Sequence, residues 1–373
     1  MNPEQVFCPN VECPARGQVN KGNISVHSHQ EKRYRCDVCG TTFSANKGTL
    51  FYRLKTDPKT VMLVLVLLAH GCPLPAIVAA FGFDERTVKS WWQKAGEHSE
   101  KVHRHQVGQS QLDLGQVQAD EIKVKTQQGT IWMALAIMVS TRLWLGGVIS
   151  KRRDKALIRA LVGQIRQIAL CRPLLIAVDG LASYVKAFQE AFRTKLPRYG
   201  QTGRAKLRAW PELHIVQVIK KRSANSFSVT RRVVQGSAEQ IASLLSLTQG
   251  GGKINTAYIE RLNATFRQHL SYLARRTRHL AQKPETLKAG MFFVGCMYNF
   301  CTYHQSLRLP LLLPDGSTRW LKRTPAIAAG LTDHLWSVEE LLNFKVPPPH
   351  WTPPKQRGRP SNETLALIKQ WAS

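Results

Sequence analysis

Long apolar runs are missing from this chain of 373 residues. A helix that crosses a membrane needs ~20 consecutive apolar residues. The longest run, Val61 to Ala69, falls far short and is expected as a buried helix. The opening MNPEQVFCPN has neither the basic nor the apolar stretch of a secretory signal. A reducing cytoplasm, close to the nucleoid, is the expected compartment, with the eight cysteines serving as ligands or core residues and not as disulfides. Acidic residues are scarce as well: 24 Asp and Glu stand against 53 Lys and Arg, a formal net charge of +29. A field that positive is useful only against a polyanion, so nucleic acid is the expected partner and a membrane surface is not.

A single core rarely grows much beyond ~250 residues, so one main domain with small modules around it is expected. Cysteine is unevenly spread. Cys8, Cys13, Cys36 and Cys39 sit together at the front, as Cys-x4-Cys, a gap of 22 residues, then Cys-x2-Cys. Two short knuckles aim four thiolates at one ion and form a closed zinc site, which supplies the stability that so small a segment lacks. His27 and His29 lie between the knuckles and are alternative ligands. Residues 1–50 are the expected zinc-ribbon module.

Residues 51–105 read as short helices broken by glycine and proline. Thr56-Asp57-Pro58 is a start signal, Gly82 a stop, and Asp84 opens a helix at 85–95. Its Val88, Trp91 and Trp92 face inward, while Arg86, Lys89 and Gln93 face out. Two helices around a glycine turn fit a helix-turn-helix that reads DNA with the second; a plain helical linker is the alternative.

From Gln116 the pattern changes to alternation. Val117–Val124, Thr130–Val139 and Leu143–Ile149 read as an antiparallel meander, followed by a helix over 156–170 and the apolar strand PLLIAV. A helix over 182–192 comes next. The fold class is therefore α/β, and the order β-β-β-α-β-α is that of a ribonuclease-H-like core, expected over 112–305. Residues 193–235 are dense in Lys and Arg and read as a basic insertion with strands near 214–219 and 227–234. The insertion either tracks phosphates or is a solvated loop. Long helices are expected over 255–279 and 286–304, and a helical extension over 306–345. Residues 346–373 form a proline-rich basic tail, a linker whose Arg357-Gly358-Arg359 suits a narrow minor groove.

Asp120 interrupts the first strand, Asp179 ends PLLIAV, and Glu260 stands on a helix with Asn263 and Arg267 on the same side, where they are expected to meet DNA. A carboxylate at the end of a buried strand is costly unless a cation or donors meet it. Each acid also has a plainer role: Asp179 as a helix cap, Glu260 as a partner of Arg261 or Arg267. Glu121 is the second choice for the first position, since strand alternation turns it away from Asp120, and Asp113 precedes the strand.

The stretches CPNVECP, KRYRCDVCGTTFS, VQADEIKVK, LLIAVDGLASY, NTAYIERLNATFRQHLSYLARRTR, YNFCTYHQSL and RTPAIAAGLTDHLWSVEELL cover most of the chain. In them the chain resembles insertion-sequence transposases of the DDE type that carry an N-terminal zinc ribbon and a helix-turn-helix. The resemblance implies a catalytic core that binds two Mg²⁺ or Mn²⁺ ions through Asp120, Asp179 and Glu260. It also implies terminal-inverted-repeat DNA as substrate and a homo-oligomer on that DNA. Two features depart from the pattern: the four-residue first knuckle, and the 81 positions from Asp179 to Glu260. Rival readings are a DNA-binding regulator without catalysis and a nuclease of the same superfamily.

Overall fold

The computed structural model describes every residue except 128, 201, 223–226, 276, 278–279, 281–282, 354–357 and 372–373. The chain divides into two compact units, one of residues 1–58 and 342–373, the other of 59–341.

The smaller unit holds three antiparallel strands, β1 (Ile24–Ser28), β2 (Arg33–Cys36) and β3 (Thr42–Ser44). Tyr34, Phe43, Val6 and Ile24 pack with three of the cysteines into a small core. The tail belongs to this unit and is not a free linker. Arg16 Nε donates to Pro349 O at 2.8 Å, and Gln18 Nε2 donates to Trp371 O at 2.8 Å. Trp371 is 4% exposed against the cysteine-side core, with Trp351 and Leu367 beside it. Proline forbids a regular element over 347–349, but an extended segment packs well when its side chains are large and apolar.

The larger unit is mixed α/β. Helices α1 (Pro58–Ala69), α2 (Leu74–Phe81) and α3 (Glu85–His103) come first. Gly82 ends α2 at φ 68°, and Asp84 caps α3 by accepting from Arg86 N. Helix α3 runs well past the expected residue 95, because its second half is buried: His98, Ser99, Val102 and His103 face the core. Its Gly96 lies against Ala289, so close that a Cβ there would stand 2.2 Å from the Ala289 Cα. These helices therefore cluster with the sheet and do not form a separate domain.

The sheet has six strands in the order β11-β10-β7-β4-β5-β6. Strands β4 (Gln116–Thr126), β5 (Gly129–Met138) and β6 (Trp144–Ser150) are the antiparallel meander, and α4 (Lys155–Ile168) leads to β7 (Leu174–Val178), parallel to β4. All five residues of β7 are buried, as a central strand covered on both faces requires. Helix α5 (Ala182–Ala191) and the small hairpin β8 (Arg193–Lys195) and β9 (Leu207–Ala209) follow.

Strand β10 (Leu213–Arg222) then pairs parallel with β7, and β11 (Phe227–Gln235) pairs antiparallel with β10. Of the expected insertion, the β8–β9 hairpin stands outside the sheet, and Leu213–Arg222 and Phe227–Gln235 are instead part of it. Its Leu213, Ile215, Val216 and Val218 are buried, while the basic residues decorate exposed positions. Helix α6 (Ala238–Gln249) packs Ile241, Leu244 and Leu245 onto Leu175, Ala177 and Val216.

Helix α7 (Ala257–His269) ends ten residues before the expected 279, with a 3-10 turn at Ser271–Leu273. Helix α8 (Pro284–Cys296) continues into a π turn, Met297–Cys301. The region expected as a helical extension instead carries a two-stranded hairpin, β12 (Leu309–Leu312) and β13 (Thr318–Leu321), before the short α9 (Pro325–Ala328) and α10 (Val338–Asn343). Helix α11 (Asn362–Trp371) closes the chain's described part. Among the described residues, no helix is long and apolar enough to cross a membrane.

Candidate metal centre

Register places the first two acids. Ala119 is the Cα partner of Val178, so Asp120 and Asp179 follow as neighbours at the same end of two adjacent parallel strands. Leu181 N donates to Asp179 Oδ1 at 2.9 Å, which shapes the turn ahead of α5; the helix itself has no side-chain cap, so Asp179 is not its cap, and its carboxylate lines the cleft.

Glu260 is brought in by a tether that the sequence did not reveal. Helix α7 has no side-chain cap of its own at Thr256. Gln118 of β4, two residues before Asp120, serves instead: its Oε1 accepts from Tyr258 N and Ile259 N, both at 3.0 Å, and its Nε2 donates to Asn255 O at 2.8 Å. Orphan amides at a helix start need such an acceptor. The consequence is that Glu260, in the first turn, is fixed beside the strand that carries Asp120. One turn on, Asn263 is 2% exposed and donates through Nδ2 to Asp120 Oδ2 at 2.9 Å. Asn263 is thus buried and turned into the acids. Arg267 is half-buried; burial and the charge of Arg275 lower its pKa, and the charge of Asp120 raises it.

Asp120, Asp179 and Glu260 line one cavity of about 610 Å³, together with Arg153, Lys220, Thr256 and Gly180. Carboxylate oxygens of Asp120, Glu121 and Asp179 lie within 4.8 Å of one another. Glu121 therefore joins the cluster despite the alternation of β4. Strand β7 stops at Val178, so beyond it no paired strand separates the two faces on that side. Burial, then the charges of Glu121, Asp179 and Glu260, push the Asp120 carboxyl up to about 6. Burial also raises Glu121, which Arg153 offsets. Burial and the same acids hold the Tyr184 hydroxyl well above its ordinary value. Asp113 lies exposed, ahead of β4.

Two cations answer the acids. Arg153 donates Nε and Nη2 to the two oxygens of Glu121, both at 3.3 Å, and Nη2 also to Asp179 Oδ2 at 3.1 Å. Lys220 pairs with Glu260 Oε1, which also accepts from Thr256 Oγ1 at 2.5 Å. Several hard oxygen donors converging on a water-accessible cleft are the ligand set that Mg²⁺ or Mn²⁺ demands. The donors of Asp120, Glu121 and Asp179 fit such an ion and would hold it, while Glu260 lines the same cavity outside that close cluster.

In the smaller unit Cys8, Cys13, Cys36 and Cys39 place their sulfurs within 4.8 Å of one another. Cys8 Sγ lies 3.7 Å from Cys39 Sγ, and Cys13 Sγ lies 3.8 Å from Cys36 Sγ. A tetrahedron with Zn–S bonds of about 2.3 Å has edges of about 3.8 Å, so the set fits zinc. Burial pushes the Cys8 thiol far up and the Cys13 thiol to about 12. Cys39 is lowered to about 6: burial opposes, but hydrogen bonds from Thr41 and Asn10 prevail. His27 and His29 are exposed and outside the cluster.

Of the residues expected to meet DNA, Arg86, Lys89 and Gln93 share α3. Arg86 is exposed on α3; Lys89 is exposed but paired with Glu85 at 2.6 Å; Gln93 donates to Glu97 at 3.0 Å. Arg359 is exposed, and Arg357 lies outside the described residues. No family model and no curated protein matches the chain.

Proposed function

We propose that this chain is a DNA transposase of the DDE type with a ribonuclease-H-like core, which cleaves the ends of its element and transfers the 3′-hydroxyls to target DNA. The observation that carries the reading is the convergence of Asp120, Asp179 and Glu260, from three distant parts of the chain, on one open cleft. The sheet order supports it: an antiparallel meander with two further strands added parallel to its first is the arrangement of that core.

A pair of Mg²⁺ or Mn²⁺ ions bound there would activate the attacking oxygen and neutralise the phosphate. The chain's own residues prepare the site. Asn263 orients Asp120, Gln118 fixes the helix of Glu260, and Arg153 balances Glu121 and Asp179. The net charge of +29 holds the DNA backbone. Arg86, Lys89 and Gln93 on α3 and Arg359 in the tail are the proposed base and groove contacts, and Arg357 extends the last. Zinc on the four cysteines is structural. A homo-oligomer on DNA follows, since two element ends must be held together.

The test is incubation of the full chain with Mg²⁺ and the DNA flanking its own gene, with cut ends and joined products mapped. Cleavage with strand joining that Asp120→Asn abolishes, while DNA binding persists, supports the reading. Cleavage without joining assigns a nuclease. Binding without any cutting leaves a regulator.

A further inference from the structure

Glu260 is paired with Lys220 in the cleft. The two side chains are 46% and 40% exposed, and both line the cavity. Strand β10 overhangs its neighbour there. Its last residue paired with β7 is Gln217, opposite Val178, so Lys220 stands beyond the end of the parallel pairing and lines the cleft.

The other cation of the cleft is held differently. Arg153 grips a Glu121 side chain that is fully buried, and its guanidinium lies 5.1 Å from the centre of the Trp132 ring. Removing Arg153 would leave a buried charge unpaired, so it is a fixed part of the frame. Lys220 has a solvated partner, a flexible stem and three rotatable donors, and it can change partners at small cost.

We propose that Lys220 is a place-holder: it neutralises Glu260 until a divalent cation takes that carboxylate, and then binds a phosphate oxygen of the DNA strand in the cleft. Two like charges cannot share one carboxylate oxygen, because an ammonium a few ångströms from a bound dication is repelled. Released from Glu260, the ammonium faces the cavity that a phosphodiester would fill. Metal and DNA then reinforce one another, since each draws Lys220 or Glu260 away from the other, and such coupling is reciprocal. The phosphate half of the inference rests on the transposase reading; the exchange on Glu260 does not.

Lys220→Met keeps the stem and removes the charge, and Lys220→Arg keeps the charge. In a calorimetric titration of the full chain with Mn²⁺ and no DNA, Lys220→Met binds up to about fivefold more tightly than the native protein, the scale of an exposed ion pair. Lys220→Arg matches the native protein. Unchanged or weaker Mn²⁺ binding by Lys220→Met overturns the place-holder. The second arm measures how affinity for end-flanking duplex falls with salt. With Mn²⁺ present, Lys220→Met lowers the slope by about one, the loss of one phosphate contact, and without Mn²⁺ the two proteins agree. A slope difference that is independent of Mn²⁺ overturns the transfer to phosphate. Should the native protein fail to cut DNA, the transposase reading falls, and the Mn²⁺ titration still decides the exchange on Glu260.

Discussion

Four thiols in the smaller unit, and the carboxylates of Asp120, Glu121 and Asp179 in the larger, each gather within 4.8 Å, yet their surroundings are opposite. Cys8, Cys13 and Cys36 are 0% exposed and continuous with an apolar core. The acids border an open cavity and are balanced by Arg153 and Lys220. Soft ligands in a closed shell make a metal part of the fold, whereas hard ligands in an open cleft leave positions for water and substrate. In the first site the thiols would take an ion into the core itself; in the second, Arg153 and Lys220 already lie against the acids.

The comparison is broken most severely by removing the first metal. Cys36→Ser or strong chelation is expected to cost the smaller unit about 10 kcal/mol and unfold it, as in other zinc-dependent modules. Elemental analysis and heteronuclear NMR check this, with 59–341 keeping its native spectrum. Asp120→Asn has a different signature: stability nearly unchanged, but DNA cleavage lowered by about a thousandfold, the equivalent of several kcal/mol of lost charge stabilisation. Trp371→Ala, at the far end of the chain from the ribbon, should destabilise the smaller unit by about 3–5 kcal/mol in denaturant titrations. No effect there would return the tail to the status of a linker. Gly96→Val should cost the larger unit about 1–3 kcal/mol or more by forcing α3 away from Ala289.

The smallest effect is one of pH. The folded carboxyl of Asp120 titrates near 6, above its ordinary 3.8. A proton therefore competes with a cation below pH 6, and Mn²⁺ affinity should fall by about tenfold per pH unit there, while staying flat between pH 7 and 8. Calorimetry across that range checks the sign. In the metal-free protein the same shift disfavours folding as pH rises from about 4 to 6, because the folded state holds the proton more tightly.

The sequence made the central sheet legible where burial dictates residue type. The apolar PLLIAV became β7, and Asp120 and Asp179 stood out because carboxylates interrupt or end strands that are otherwise buried. The four cysteines were readable because few other roles suit their spacing. Strands β10 and β11 were located but assigned to an insertion, because Lys and Arg mark exposure and say nothing about whether a strand joins the sheet. Helix α6 passed unnoticed, and so did the packing of Trp371 against the ribbon, which no local pattern encodes. Gln118, Arg153 and Lys220 were invisible for the same reason: an ordinary strand Gln becomes a helix cap only when α7 arrives 140 residues later.

The central claim is that Asp120, Asp179 and Glu260 hold hard divalent cations in one cleft. Anomalous diffraction from crystals of the full chain soaked in Mn²⁺ tests it most directly. The expected result is manganese density bridging Asp120 and Asp179, with carboxylate oxygens about 2.1 Å away and Lys220 swung off Glu260. Cleft acids still paired with Arg153 and Lys220, and manganese elsewhere or absent at saturating concentration, would contradict the account.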